Sequence, residues 1–173
     1  MRALWRSLHD DLMQSIDTIT FERQFDIARQ SSPPLQRFAD HYALLDYLHT
    51  PVGDLDAKDR LIALMVTEAQ RSRPSGDMAT ILLWLALWPG LDALYRRLFR
   101  YFAKAPDELV SEISDRFMVV VHRFDSSRVR RVAATILRNT ERQIRQGLRS
   151  EWQQSRRTDR LPDEEMMRLD CAC

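Results

Sequence analysis

Between Met78 and Trp88 the chain reads Met-Ala-Thr-Ile-Leu-Leu-Trp-Leu-Ala-Leu-Trp, without one charged side chain. A helix made of these residues is apolar almost all round, and such a helix has to be surrounded by others. The run is about half of the roughly 20 residues that a membrane-spanning helix requires. It therefore predicts a buried helix at the centre of a bundle and no membrane association. Pro89-Gly90 is expected to kink or break that helix before Leu91, Leu94, Leu98 and Phe102 continue the apolar pattern.

The rest of the chain supplies helices to surround it. Leu4, Trp5, Leu8, Leu12, Ile16 and Ile19 recur at three- and four-residue steps, which marks one amphipathic helix running to about Arg29 and ended by Ser31-Ser-Pro-Pro34. Leu35, Phe38, Tyr42 and Leu45 predict a second from Pro34 to His49, with Pro34 in its first turn. After the turn at Thr50-Pro-Val-Gly-Asp54, Asp54 or Asp56 can cap a third, with Leu61, Leu64, Met65 and Ala69 as its stripe. Arg73-Pro-Ser-Gly76 closes it, and Asp77 is the next cap. Pro106-Asp-Glu108 opens another, with Leu109, Ile113, Phe117, Val120, Val121 and Phe124 facing inward, and Asp125-Ser-Ser127 turns into a long last helix from about Ser127 to Gln153. With only 4 glycines in 173 residues, strands and tight turns have little to draw on. The expected fold is all-α, a single-domain bundle of about six helices. Residues 1–76 form N-terminal helices packed on the core, 77–153 form the helical core, and 154–173 form a disordered polar tail.

A net charge of +1 leaves no global field to draw the protein toward a polyanion. The charge is unevenly placed, however. The segment from Arg123 to Arg160 holds 11 arginines against Asp125, Glu141, Glu151 and Asp159, so the remainder is net acidic. At 100° per residue Val129, Val132, Ala133, Ile136, Leu137, Ile144 and Leu148 gather on one face of the last helix. Arg131, Arg138, Arg142, Arg145 and Arg149 fall opposite them in a sector about 60° wide, a ridge about 27 Å long. Guanidinium groups so arrayed can follow successive phosphates, each donating two hydrogen bonds. They can equally serve only to solvate the helix, or pair with Glu141 and Glu151.

Several of these residues resemble a known family. Pro106-Asp-Glu-Leu-Val-Ser-Glu112, Phe117, Arg123-Phe-Asp125 and Ile136-Leu-Arg-Asn139 with the arginines after it are similar to region 2 of bacterial RNA polymerase sigma factors, over about residues 77–149. The resemblance implies a sigma-region-2-like helical core. It implies that Asp107, Glu108 and Glu112 dock on RNA polymerase, and that the helix carrying Arg131, Arg138, Asn139, Arg142, Arg145 and Arg149 engages DNA. Near Val132 to Thr135, where family members carry the aromatic residues that capture promoter bases, this chain has Val, Ala, Ala and Thr.

No chemistry competes with binding. The four histidines, His9, His41, His49 and His122, are scattered, fit no metal-ligand spacing, and are expected to be satisfied at the surface or its boundary. No phosphate loop, dinucleotide fingerprint or nucleophile elbow is present, so the expectation is a non-enzymatic protein without cofactor or metal. Cys171 and Cys173 are too close together to staple a fold, and together with a charged N-terminus they suit a reducing cytoplasm. The alternative to nucleic-acid binding is a helical scaffold whose arginine helix meets an acidic protein partner.

Overall fold

Pro89 does not break the central helix. The computed structural model describes residues 3–71 and 77–158, and in it one continuous helix runs from Met78 to Leu98 with Pro89 inside. Among the described residues there are seven α-helices and no strand: α1 (Ala3–Ile16), α2 (Ile19–Ser31), α3 (His41–His49), α4 (Leu55–Arg71), α5 (Met78–Leu98), α6 (Pro106–His122) and α7 (Val132–Thr158). Proline cannot donate to the carbonyl four residues earlier, which here belongs to Leu85. The Nε2–H of His49, at the end of α3, donates to that oxygen at 2.9 Å and replaces the missing bond. Beside it, Gly90 gives Leu137 of α7 its seat, because a Cβ at residue 90 would lie 2.3 Å from Leu137 Cδ1.

As the apolar run predicts, α5 packs against every other α-helix. One core cluster takes residues from all seven, including Trp5, Phe25, Leu44, Leu61, Leu83, Phe117 and Ile136. Because Pro89 does not interrupt it, the stretch Met78–Tyr101 is long and apolar enough to cross a membrane, contrary to its expected length. Yet 61% of its most apolar window is buried inside the protein, as befits a core helix. α4 packs on α5, α6 and α7 alike.

Three helix boundaries differ from the sequence expectation, each for a local reason. The expected first helix divides at Thr18, whose extended backbone and side chain cap α2 by accepting from the Phe21 N–H. The expected second helix shrinks to α3, because Pro33–Leu35 takes a 3-10 turn and Asp40 caps the chain afresh, accepting from Ala43 N–H at 2.7 Å. The last helix begins at Val132 and continues to Thr158, so residues 154–158 are helical and not tail. The predicted turn at Arg73 to Gly76 and the cysteines Cys171 and Cys173 lie outside the described residues. At the other predicted caps, Asp54 accepts from the N–H groups of Asp56 and Ala57, whereas Asp77 holds the cap position without a side-chain bond. Ala57 above all draws the Asp54 carboxyl below its ordinary range.

α1 is held by an aromatic stack. Trp5 lies between Trp88 and Tyr95 with ring centroids 4.5 and 4.9 Å away, and its indole N–H donates to Asp92 at 3.1 Å. His41 is buried rather than at the boundary: it is 4% exposed, edge-on to Phe21 and Phe25, and neither ring nitrogen has a partner among the described residues.

Candidate nucleic-acid interface

Where α7 starts decides which arginines share its ridge. A 3-10 turn over Ser126–Arg128 leads into it. The cap comes from α4. Asp59, 9% exposed, accepts from the Ala133 N–H at 3.1 Å, supplying a negative charge and an acceptor at the end of a helix whose first N–H groups have no partner within it. From there Val132, Ile136, Thr140 and Ile144 face the core and leave the opposite face to solvent.

The five expected ridge arginines do not behave alike. Arg131 precedes the helix and is turned back onto α4, 3.3 Å from Asp56 and 3.6 Å from Asp59. Its charge is therefore met by α4 carboxylates and not left free on the ridge. Arg145 donates through Nε and Nη2 to one Glu141 oxygen at 3.0 and 2.8 Å, while the other oxygen takes Arg97 at 2.9 Å. Burial pushes the Glu141 carboxyl up, but hydrogen bonds from Arg145 and Arg97 outweigh it and hold the group below its ordinary value. Arg138, Arg142 and Arg149 are exposed, and among the described residues no acidic side chain pairs with them. The uncompensated ridge thus runs from Arg138 to Arg149, about 17 Å at the helical rise.

Two features beside the ridge escape a reading by periodicity. Asn139 and Arg142 line a groove of about 290 Å³ between the end of α6 and α7, together with Arg123, Thr135 and Gln143. It offers guanidinium and amide donors side by side. At the far end Tyr101, 39% exposed, stands among cations: Arg100 donates to its hydroxyl at 2.6 Å, and the Arg145 guanidinium carbon lies 5.9 Å from its ring centroid. Arg100 chiefly, with Arg145, draws the phenol below the ordinary tyrosine pKa. Tyr95-Arg-Arg-Leu-Phe-Arg-Tyr101 interleaves aromatic and basic residues, and that pattern was the available signal.

The acidic residues gather at the start of α6. Asp107 and Glu108 are exposed in its first turn, and Glu112 accepts from Arg116 Nε at 3.1 Å. All three border a groove of about 580 Å³ whose apolar lining is Leu4, Phe102, Ile144 and Leu148. Among the described residues no group of three His, Cys, Asp or Glu side chains comes together as a metal site.

Fold and surface together define an all-helical bundle with a basic ridge on its last helix and an acidic-rimmed apolar groove at the start of α6. Compared with protein families, curated proteins and solved structures, the chain matches none.

Proposed function

We propose that this is a small non-enzymatic regulatory protein that binds nucleic acid through α7, in the manner its resemblance to sigma-factor region 2 implies. The observation that carries the reading is the uncompensated set Arg138, Arg142 and Arg149 on one exposed helix face, with Asn139 and Arg123 in the groove alongside. Glu141 of α7 pairs with Arg145, and Asp59 of α4 with Arg131 just before the helix, so the unpaired arginines are set apart from a generally solvated surface. The acidic rim Asp107, Glu108 and Glu112 around an apolar groove supports a second, protein contact, which the resemblance assigns to RNA polymerase. Such a protein would work in the cytoplasm and require no cofactor.

The test is fluorescence anisotropy with labelled DNA over a range of salt. Phosphate contacts release counterions, so affinity should fall steeply with salt. Replacing Arg138, Arg142 and Arg149 by Ala should abolish binding and flatten the salt slope by about 2 to 3. If the triple variant binds as wild type does, the ridge is not the interface. The groove at Asp107 also fits the alternative, a scaffold that meets only proteins, and absence of DNA binding at low salt would favour it.

A further inference from the structure

Small residues line both sides where α5 passes the start of α7. Ala86 and Gly90 on one helix and Ala133 and Ala134 on the other leave space that Leu48 of α3 and Ile62 of α4 wall in. The cavity measures about 370 Å³, at the lower end of the range of small-molecule sites, about 300–1,000 Å³. Pro89 also lines it, and the Leu85 carbonyl that a proline leaves unbonded is taken by His49 at 2.9 Å. The proline therefore adds apolar surface without an open acceptor.

The charges at the rim nearly cancel. Asp56 and Asp59 are answered by Arg130 and Arg131 at nitrogen–oxygen distances of 3.3 to 4.0 Å. Lys58 is left over. It lines the cavity but is only 6% exposed, and its ammonium donates to the carbonyls of Thr50 and Val52 and lies 5.3 Å from the Tyr47 ring centroid. Among the described residues no carboxylate pairs with it. Carbonyls and an aromatic ring solvate a buried cation but carry no net charge, so an anion brought beside it gains strongly in the low local dielectric.

We propose that this cavity binds an amphiphilic monocarboxylate, with its aliphatic chain against Ile62, Leu87 and Leu137 and its carboxylate on Lys58. Leu55, 54% exposed although apolar, offers the chain further surface at the mouth. The site is separate from the arginine ridge and goes beyond the nucleic-acid reading without resting on it. Ala133, Ala134 and Leu137 belong to the first turns of α7, so a bound ligand also braces the helix start that Asp59 caps.

Three probes of equal chain length separate head from tail: decanoate, decanol and decylammonium, each below its micellar concentration. Calorimetric titration gives the affinities and thermal melting the linked stabilisation. Decanoate at about a hundred times its Kd should raise the melting temperature by about 5–10 °C. It should bind about ten- to a hundredfold more tightly than decanol, and decylammonium no better than decanol. Lys58→Met keeps the stem and should erase the preference for decanoate while leaving decanol affinity unchanged; Lys58→Arg should retain it. Ala86→Met fills the cavity from α5 and should weaken decanoate and decanol alike by about tenfold or more. Should Lys58→Met fail to fold, the ratios among the three probes on the wild-type chain decide. Absence of saturable decanoate binding, equal affinity for decanoate and decanol, a preference that survives Lys58→Met, or affinities unmoved by Ala86→Met each overturn the site.

Discussion

Replacing Asp59 by Ala should loosen the start of α7 and with it the ridge that the helix carries. The carboxylate does two things: one oxygen accepts from the Ala133 N–H at 3.1 Å, and the other lies 3.6 Å from Arg131. Loss of a helix N-cap costs about 1 kcal/mol, and up to about 2 where the freed N–H is shielded from water. The charge at the positive helix end adds about 0.3–1 kcal/mol. Arg131 is 54% exposed on its side chain, so its ion pair adds little. The expected total for Asp59→Ala is about 2 kcal/mol, which in a chain of this size lowers the melting temperature by about 4–8 °C. Asp59→Asn keeps an acceptor oxygen and loses the charge, so it should cost about half as much. Urea denaturation followed by circular dichroism gives both values, and hydrogen exchange at Ala133 and Ala134 reports the local opening. If Ala and Asn cost the same, or if neither costs more than about 0.5 kcal/mol, α7 is not capped from α4 and the reasoning fails.

Three further outcomes follow from buried or paired groups. His41→Phe should raise stability by about 1 kcal/mol, since it removes two buried nitrogens without partners and fits the ring cluster of Phe21, Phe25 and Tyr42; a lower melting temperature would show that those nitrogens are satisfied. His49→Leu should cost about 1 kcal/mol in wild type and distinctly less in a Pro89→Ala background, where residue 89 can itself donate to Leu85; an unchanged cost in that double-mutant cycle would sever the link between the two residues. The folded-state pKa of Glu141 is lowered, so its contribution is present above the ordinary glutamate value of about 4.3 and is lost as pH falls through the lower folded value. Glu141→Gln should therefore flatten the acid limb of the stability curve below about pH 4.3 and, by releasing Arg97 and Arg145, tighten DNA binding and steepen its salt dependence; an unaltered acid limb or salt slope contradicts the pairing.

The central position of α5 was legible because it depends on composition alone: no arrangement leaves Leu82 to Leu87 exposed, so other helices had to surround them. Boundaries were less so, because local signals at Thr18 and Asp40 compete with an apolar period that runs straight through them. Pro89 is the clearest case of tertiary structure overriding a local rule. The lost hydrogen bond is real, but its replacement comes from a histidine 36 residues away from Leu85 in sequence. No reading confined to a window around Pro89 could have found it.

The ridge shows the same division between what periodicity can and cannot supply. Angular position on a helix states which way a side chain leaves the backbone, and for Arg138, Arg142 and Arg149 that was enough to place them in solvent. Whether a guanidinium keeps its charge for a ligand depends on carboxylates brought from elsewhere. Asp56 and Asp59 reach Arg131 from α4 across more than 70 residues of chain, and Glu141 divides its two oxygens between Arg145 and Arg97 of α5. Tyr101 belongs to the same long-range set, for it follows α5 in sequence and yet has the Arg145 guanidinium carbon 5.9 Å from its ring centroid. A basic stripe read from sequence therefore overstates the charge available for binding, and in this protein the neutralised arginines are the ones at which α7 meets α4 and α5. What those contacts leave for a ligand is Arg138, Arg142 and Arg149.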